Sequence, residues 1–214
     1  MENLRRKVVM FIEKLIVGQM EANSYIAADE DSGAALVIDP GGSAEKILTA
    51  LENHSLDLRY IVNTHGHIDH IAANEKILAE TEAQLLIHKA DADFLKNAEL
   101  NLSSFIGAQD MTFGAADKTL ESGAEIECGT VKLQVLHTPG HTTGSICLLG
   151  ADFLFSGDTL FSTGVGRTDL PTGSREELNK SLAKLKELDD DLTVYPGHGP
   201  AATLGEIREN NPYI

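Results

Sequence analysis

Apolar and β-branched residues come in short runs along the chain, separated by turn-forming clusters. Positions 8–17, 24–28 and 34–38 read as strands. Asp39-Pro40-Gly41-Gly42 breaks the last of these, and Ser43 is placed to cap a helix that runs to about Asn53. A short apolar strand, Tyr60-Ile61-Val62, leads into Asn63-Thr64-His65-Gly66-His67. Ile71, Ile77 and Leu78 then fit a helix from about His70 to Thr81. Positions 85–88 read as a strand and 90–96 as a short helix, whereas 97–118 carries no clear period and reads mostly as loop.

The second half repeats the alternation. Strands are expected at 131–136, 145–149 and 153–155. Leu178, Leu182, Leu185 and Leu188 recur at helical spacing and predict a helix over 175–188. A last strand at 192–195 precedes Pro196-Gly197-His198-Gly199-Pro200, and a short helix follows from Thr203. No linker, low-complexity segment or close repeat interrupts this order, which places residues 1–214 in one α/β domain. Several strand-to-strand connections are short enough for hairpins, so a purely parallel sheet fits poorly.

Charge narrows the function. The formal net charge of −16 repels polyanions and argues against nucleic-acid binding. Arg5, Arg6 and Lys7 precede an apolar run, but Glu13 and Lys14 interrupt it, no small-residue cleavage pattern follows, and no stretch has the length of a membrane span. A cytoplasmic protein without a membrane partner is expected. Cys128 and Cys147 lie apart in apolar stretches and read as buried, reduced thiols.

The chemistry is concentrated in the histidines. His65, His67 and His70 lie within six residues, with Asp69 among them. His65 and His67, two apart at a strand end, can point the same way, while Asp69 and His70 lie past a turn. One loop can thus present two ligands to one metal and two to its neighbour. Three more candidates, His141, Asp158 and His198, each follow a glycine in a turn fed by a strand. A donor set of imidazoles and carboxylates suits zinc or iron. Asp39 suits either a hydrogen-bond partner of a ligand histidine or a turn-initiating residue. His54, His88 and His137 read as structural, and Tyr25 and Tyr195 as packing residues.

HxHxDH at 65–70, then Gly140-His141, Gly157-Asp158 and Gly197-His198-Gly199, in that order, resemble the metallo-β-lactamase superfamily. The resemblance covers nearly the whole chain, from Asn23-Ser24-Tyr25 and Val37-Ile38-Asp39-Pro40-Gly41 onward. His137-Thr138-Pro139-Gly140-His141-Thr142 and Gly166-Arg167-Thr168-Asp169 are similar to its glyoxalase II-like (hydroxyacylglutathione hydrolase-like) branch. The resemblance implies a four-layer αββα sandwich with two divalent metal ions at one edge of its sheets. His65, His67 and His141 would hold one ion, Asp69, His70 and His198 the other, and Asp158 would bridge them. Zinc is the first expectation, iron or a mixed zinc–iron pair the second. The branch also implies hydrolysis of a glutathione thioester such as S-lactoylglutathione by a metal-bridging hydroxide, with Asp69 orienting the nucleophile. No residue in these motifs is assigned to protonate the leaving group. A thiolate, from a thiol of pKa about 8.5, tolerates that lack better than an amine or alkoxide. Glyoxalase II carries a C-terminal helical extension that helps bind glutathione, whereas only residues 199–214 follow His198 here. Arg167, in the loop 162–173, is the candidate for an anionic substrate tail, because its planar fork matches a carboxylate.

Two other functions compete. Persulfide dioxygenases are similar but use one iron, whose ligands would correspond to His65, His141 and Asp158. A metal-binding module without catalysis is the other, and degenerate relatives of that kind lose ligands. All seven positions are filled here, which favours the dinuclear hydrolase.

Overall fold

The computed structural model describes residues 10–105 and 111–214. Residues 8 and 9 of the first expected strand, the basic segment before it, and 106–110 of the expected loop lie outside that range. Strands Met10–Val17 (β1), Ala22–Asp29 (β2), Ala34–Ile38 (β3), Asp57–Asn63 (β4), Gln84–His88 (β5) and Lys118–Leu120 (β6) form one sheet in chain order. β1 to β3 pair antiparallel and β3 to β6 parallel. The second sheet joins Glu125–Cys128 (β7), Val131–His137 (β8), Ile146–Leu149 (β9), Phe153–Gly157 (β10), Thr193–Pro196 (β11) and Ala202–Thr203 (β12). There β10 and β11 run parallel and the other neighbours antiparallel.

The period-two alternation of the strands builds the layers. Ala35 and Val37 of β3 face an outer core with Ile47 and Leu51 of the helix Ala44–Asn53 (α1) and Ile77 of Asn74–Glu80 (α3). Leu36 and Ile38 turn inward to Leu133, Val135 and Phe155 of the second sheet. The far side of that sheet packs Cys147, Leu154 and Val194 against Leu178, Leu182 and Leu185 of Arg175–Leu185 (α4) and Ile207 of Leu204–Asn210 (α5). The result is helix, sheet, sheet, helix, the expected αββα sandwich. Each large apolar side chain buried in these cores contributes about 1.5–3 kcal/mol. In β4, Leu58 and Ile61 share the outer core although they are three apart, because the register against β3 slips between Ala35 and Leu36.

Several elements differ from the sequence reading. The helix expected over 70–81 is two helices, Ile68–Ile71 (α2) and α3. The break falls where the Ala73 N–H donates to the Pro40 carbonyl at 2.8 Å instead of to the carbonyl four residues back. Ser43 precedes α1 but does not cap it: its backbone is left-handed (φ 50°), and its Oγ accepts the Gly18 N–H at 3.2 Å. The 90–96 helix is a 3₁₀ segment, Lys89–Lys96, and α4 ends at Leu185, not Leu188. The 97–118 stretch holds a 3₁₀ turn at Ser103–Phe105, and its last residue opens β6. Thr203 does cap α5, in a reciprocal capping box with Glu206. Cys128 and Cys147 are buried and unpaired. Among the described residues no helix is long and apolar enough to cross a membrane.

Candidate metal centre

β4, β8, β10 and β11 end at one edge of the sandwich; the turns after them carry five of the seven candidates, and Asp69 and His70 lie in α2, which follows the first of these turns. Their backbones are tied down by polar groups. Asp39 accepts the Thr64 N–H at 2.7 Å and the Thr64 hydroxyl at 2.6 Å, and its Oδ2 accepts His70 Nδ1–H at 3.0 Å. Asn63 donates to the His70 carbonyl (3.1 Å) and accepts from Asn74 (2.7 Å). Asn23 donates to the Pro196 and Gly199 carbonyls, both at 2.8 Å, and the Tyr25 hydroxyl donates to Pro196 at 2.6 Å, which fixes the His198 turn. Gly41 allows a close approach that no other residue would: a Cβ there would lie 1.4 Å from the Asp69 carbonyl oxygen.

These anchors set which ring nitrogen faces the cluster. His70 commits Nδ1–H to Asp39, and His141 commits Nδ1–H to the Arg167 carbonyl at 2.8 Å. Both rings keep Nε2 for the site. His67 Nδ1 and His141 Nε2 stand 2.9 Å apart. Two nitrogens that close need a shared proton or cation. His70 Nε2 lies 3.6 Å from Asp69 and 3.4 Å from Asp158, and His198 Nε2 lies 3.2 Å from Asp69 and 3.8 Å from Asp158. His141 Nε2 is 3.7 Å from Asp158, so this carboxylate stands between the two histidine groups.

Do these residues fit a metal? Nε2 of His65, His67 and His70 and Oδ1 of Asp158 are buried with no hydrogen-bond partner, a costly arrangement that a cation relieves. His65, His67 and His141 present one potential ligand atom each within 4.8 Å of one another, and so do Asp69, His70 and His198. Asp39, His65 and His70 form a third such group, but Asp39 already accepts three hydrogen bonds. It holds His70 in place, which decides between its two sequence readings. Burial, joined by the neighbouring imidazoles, holds His65 well below the ordinary histidine pKa and His67 at about 3, so both stay neutral as metal ligands must. Burial also works against a charge on His70, but Asp69, Asp158 and Asp39 outweigh it and raise His70 to about 10. Three carboxylates thus favour positive charge at this spot, proton or metal.

A cavity of about 790 Å³ opens onto the cluster, reaching His67, Asp69, His141, Asp158 and His198. Arg167 lines it too, with its guanidinium paired to Asp169 by two bonds of 2.7 Å. Tyr25 and Tyr195 pack on each other and on Phe155 (centroids 5.2–5.5 Å apart) and do not line this cavity. His137 stacks on His88 at 4.1 Å, and His54 pairs with Glu13 at 3.2 Å.

The sequence reading missed Asp91. Its buried carboxylate accepts the Gly66 N–H (3.0 Å), the Gly144 N–H (2.6 Å) and the Thr142 hydroxyl (2.7 Å). One side chain thereby joins the His65–His67 turn to the His141 turn. Burial pushes it up to about 6 in spite of these donors. The only hint in the sequence was an acidic residue soon after an apolar strand, which reads as a solvated helix face.

Residues 17–198 match the metallo-beta-lactamase superfamily. The probable metallo-hydrolase YqgX of Bacillus subtilis is 34% identical, over 94% of this chain and 96% of its own. The hydroxyacylglutathione hydrolase GloC of Haemophilus influenzae is 32% identical, over 96% and 98%. Among solved structures, the BLEG-1 B3 metallo-beta-lactamase superposes with a TM-score of 0.89 at 32% identity, covering 95% of this chain and 99% of that one. A di-iron-bound form of TTHA1623 gives 0.84 at 31% identity, covering 94% and 100%. Matched over most of its length in sequence and in fold, the chain belongs to the metallo-β-lactamase superfamily, in agreement with the glyoxalase II-like resemblance.

Proposed function

We propose that this chain is a dinuclear metal-dependent thioesterase acting on glutathione thioesters such as S-lactoylglutathione, with residues 1–214 working as one cytoplasmic unit. The observation that carries the reading is the pair of three-residue groups with Asp158 between them, each group reaching one shared cavity. His65, His67 and His141 are assigned to one cation and Asp69, His70 and His198 to the other, with Asp158 shared; zinc is the first choice and iron the second. When bound, the ions supply Lewis acidity and a water of lowered pKa.

The chain's residues do the rest. Asp69 faces both His70 and His198 and is placed to orient the attacking water. Asp39, Asn23 and Asp91 keep the ligand turns from moving as charge develops. Arg167 lies on the cavity wall, where it can turn from Asp169 to a substrate carboxylate. Water gives up a proton to solvent as it adds to the thioester carbonyl carbon, the C–S bond breaks, and the thiolate leaves without a dedicated acid. The relative named a hydroxyacylglutathione hydrolase supports this substrate class.

A one-iron dioxygenase would need only His65, His141 and Asp158. The second group, Asp69, His70 and His198, favours the hydrolase.

The test is hydrolysis of S-lactoylglutathione by purified protein, with and without chelator, followed by restoration with zinc or iron. Chelator-sensitive, metal-restored turnover supports the reading. No turnover by fully metallated protein sinks it.

A further inference from the structure

We infer that the cavity receives an apolar acyl arm, so that thioesters with an aliphatic or aryl acyl group are preferred to those with a small hydroxyacyl group. This rests on the thioesterase reading above and adds the substrate arm to it.

The walls carry the argument. Seven apolar side chains from three separate segments line the cavity: Met20 in the β1–β2 turn, Leu102 and Phe105 around the 3₁₀ turn, and Phe161, Val165, Leu170 and Pro171 in the loop after β10. The large exposed hydrophobic residues among those described are Ile16, Met20, Phe105 and Tyr213, and two of these four, Met20 (43% exposed) and Phe105 (70%), line this cavity. Scattered exposed hydrophobics need no explanation, but apolar side chains gathered around a catalytic cleft mark a ligand surface.

Backbone strain is found in the same three segments. Glu21 beside Met20 (φ 54°), Leu102 itself (φ 70°) and Thr172 beside Pro171 (φ 67°) are non-glycine residues in the left-handed region. Such conformations are uncommon and cluster at ligand clamps.

Charge points the same way. Arg167 is the one lysine or arginine among the lining residues, and Asp169 already holds it bidentately. Asp169 is the one acidic lining residue outside the proposed metal ligands. Arg167 can serve one carboxylate of the thiol half. Beyond the metal ligands, a charged or hydroxyl-rich acyl group then meets no further basic side chain on the walls, whereas an apolar one covers wall that otherwise faces water.

The test separates this inference from the reading beneath it. Binding of non-hydrolysable S-methyl-, S-butyl- and S-hexylglutathione to the metal-loaded protein is measured by calorimetry. Hydrolysis of acetyl-, lactoyl- and hexanoylglutathione is measured beside it. Glutathione is constant across the series, so chain length reads the arm alone. The expected Kd falls about two- to fourfold per methylene, and kcat/KM for hexanoyl- exceeds that for lactoylglutathione. The combined variant Met20→Ser, Phe105→Ser flattens both trends. A Kd that does not fall with chain length, or a trend that persists undiminished in the variant, overturns the inference and leaves the thioesterase standing. A falling Kd without turnover of any thioester overturns the thioesterase and leaves the apolar arm.

Discussion

Asp91 Oδ2 accepts the backbone N–H of Gly66 at 3.0 Å, so a carboxylate on the 3₁₀ segment after β5 sets the peptide between His65 and His67. Gly144 and Thr142 donate to the same carboxylate. Asparagine offers one acceptor oxygen where three donors converge, and its own NH₂ would oppose one of them. Asp91→Asn is expected to weaken metal binding about 10- to 100-fold. Competition against a chelator of known affinity measures this. Unchanged affinity would remove Asp91 from the account of the site.

Gly41 makes the second prediction. A methyl group at this position meets the Asp69 carbonyl, a backbone atom that cannot rotate away. Gly41→Ala is expected to destabilise the fold by about 3 kcal/mol or more. Gly114→Ala is the control, because its Cβ would meet only a flexible glutamate side chain at 3.9 Å. Urea unfolding compares the two, and equal midpoints would contradict the packing argument.

The third concerns pH. Burial pushes the His88 imidazole down to about 4, helped by the stacked His137. Between about 6.5 and 4 the unfolded chain takes a proton there that the folded chain refuses. The contribution of His88 is therefore present above that window and is lost as the pH falls through it. From pH 7 to pH 5, His88→Gln should lose less of its urea midpoint than the parent protein. An equal loss would show that other groups carry the acid sensitivity.

Asp158 stands between the histidine groups with one oxygen unpartnered. Asp158→Ala should lower kcat by at least about a hundredfold while leaving the far-ultraviolet circular dichroism unchanged. Near-normal kcat in a folded Asp158→Ala protein would rule out a shared carboxylate.

The histidine cluster was legible because its spacing is local. HxHxDH spans six consecutive residues, from the turn after β4 into α2, and the later ligands sit in glycine turns after strands. The long strands were legible for the same reason, since β2, β3 and β8 carry their own apolar pattern. What the sequence hid depends on partners distant along the chain. β6 and β7 are three and four residues long, with Lys118, Glu125 and Glu127 exposed, so only pairing makes them strands. The break between α2 and α3 comes from a bond to Pro40. Ser43 has a good capping side chain, but its hydroxyl is engaged by Gly18. Asp91 and Asn74 look like ordinary polar residues of amphipathic segments until the fold buries them beside the ligand turns.

The most direct test of the central claim is a metal titration of the stripped protein, with S-lactoylglutathione hydrolysis followed at each addition. Two equivalents of zinc or iron per chain should be required for full activity, and His198→Ala should lower the tightly bound content to one. Full activity at a single equivalent would contradict a dinuclear hydrolase.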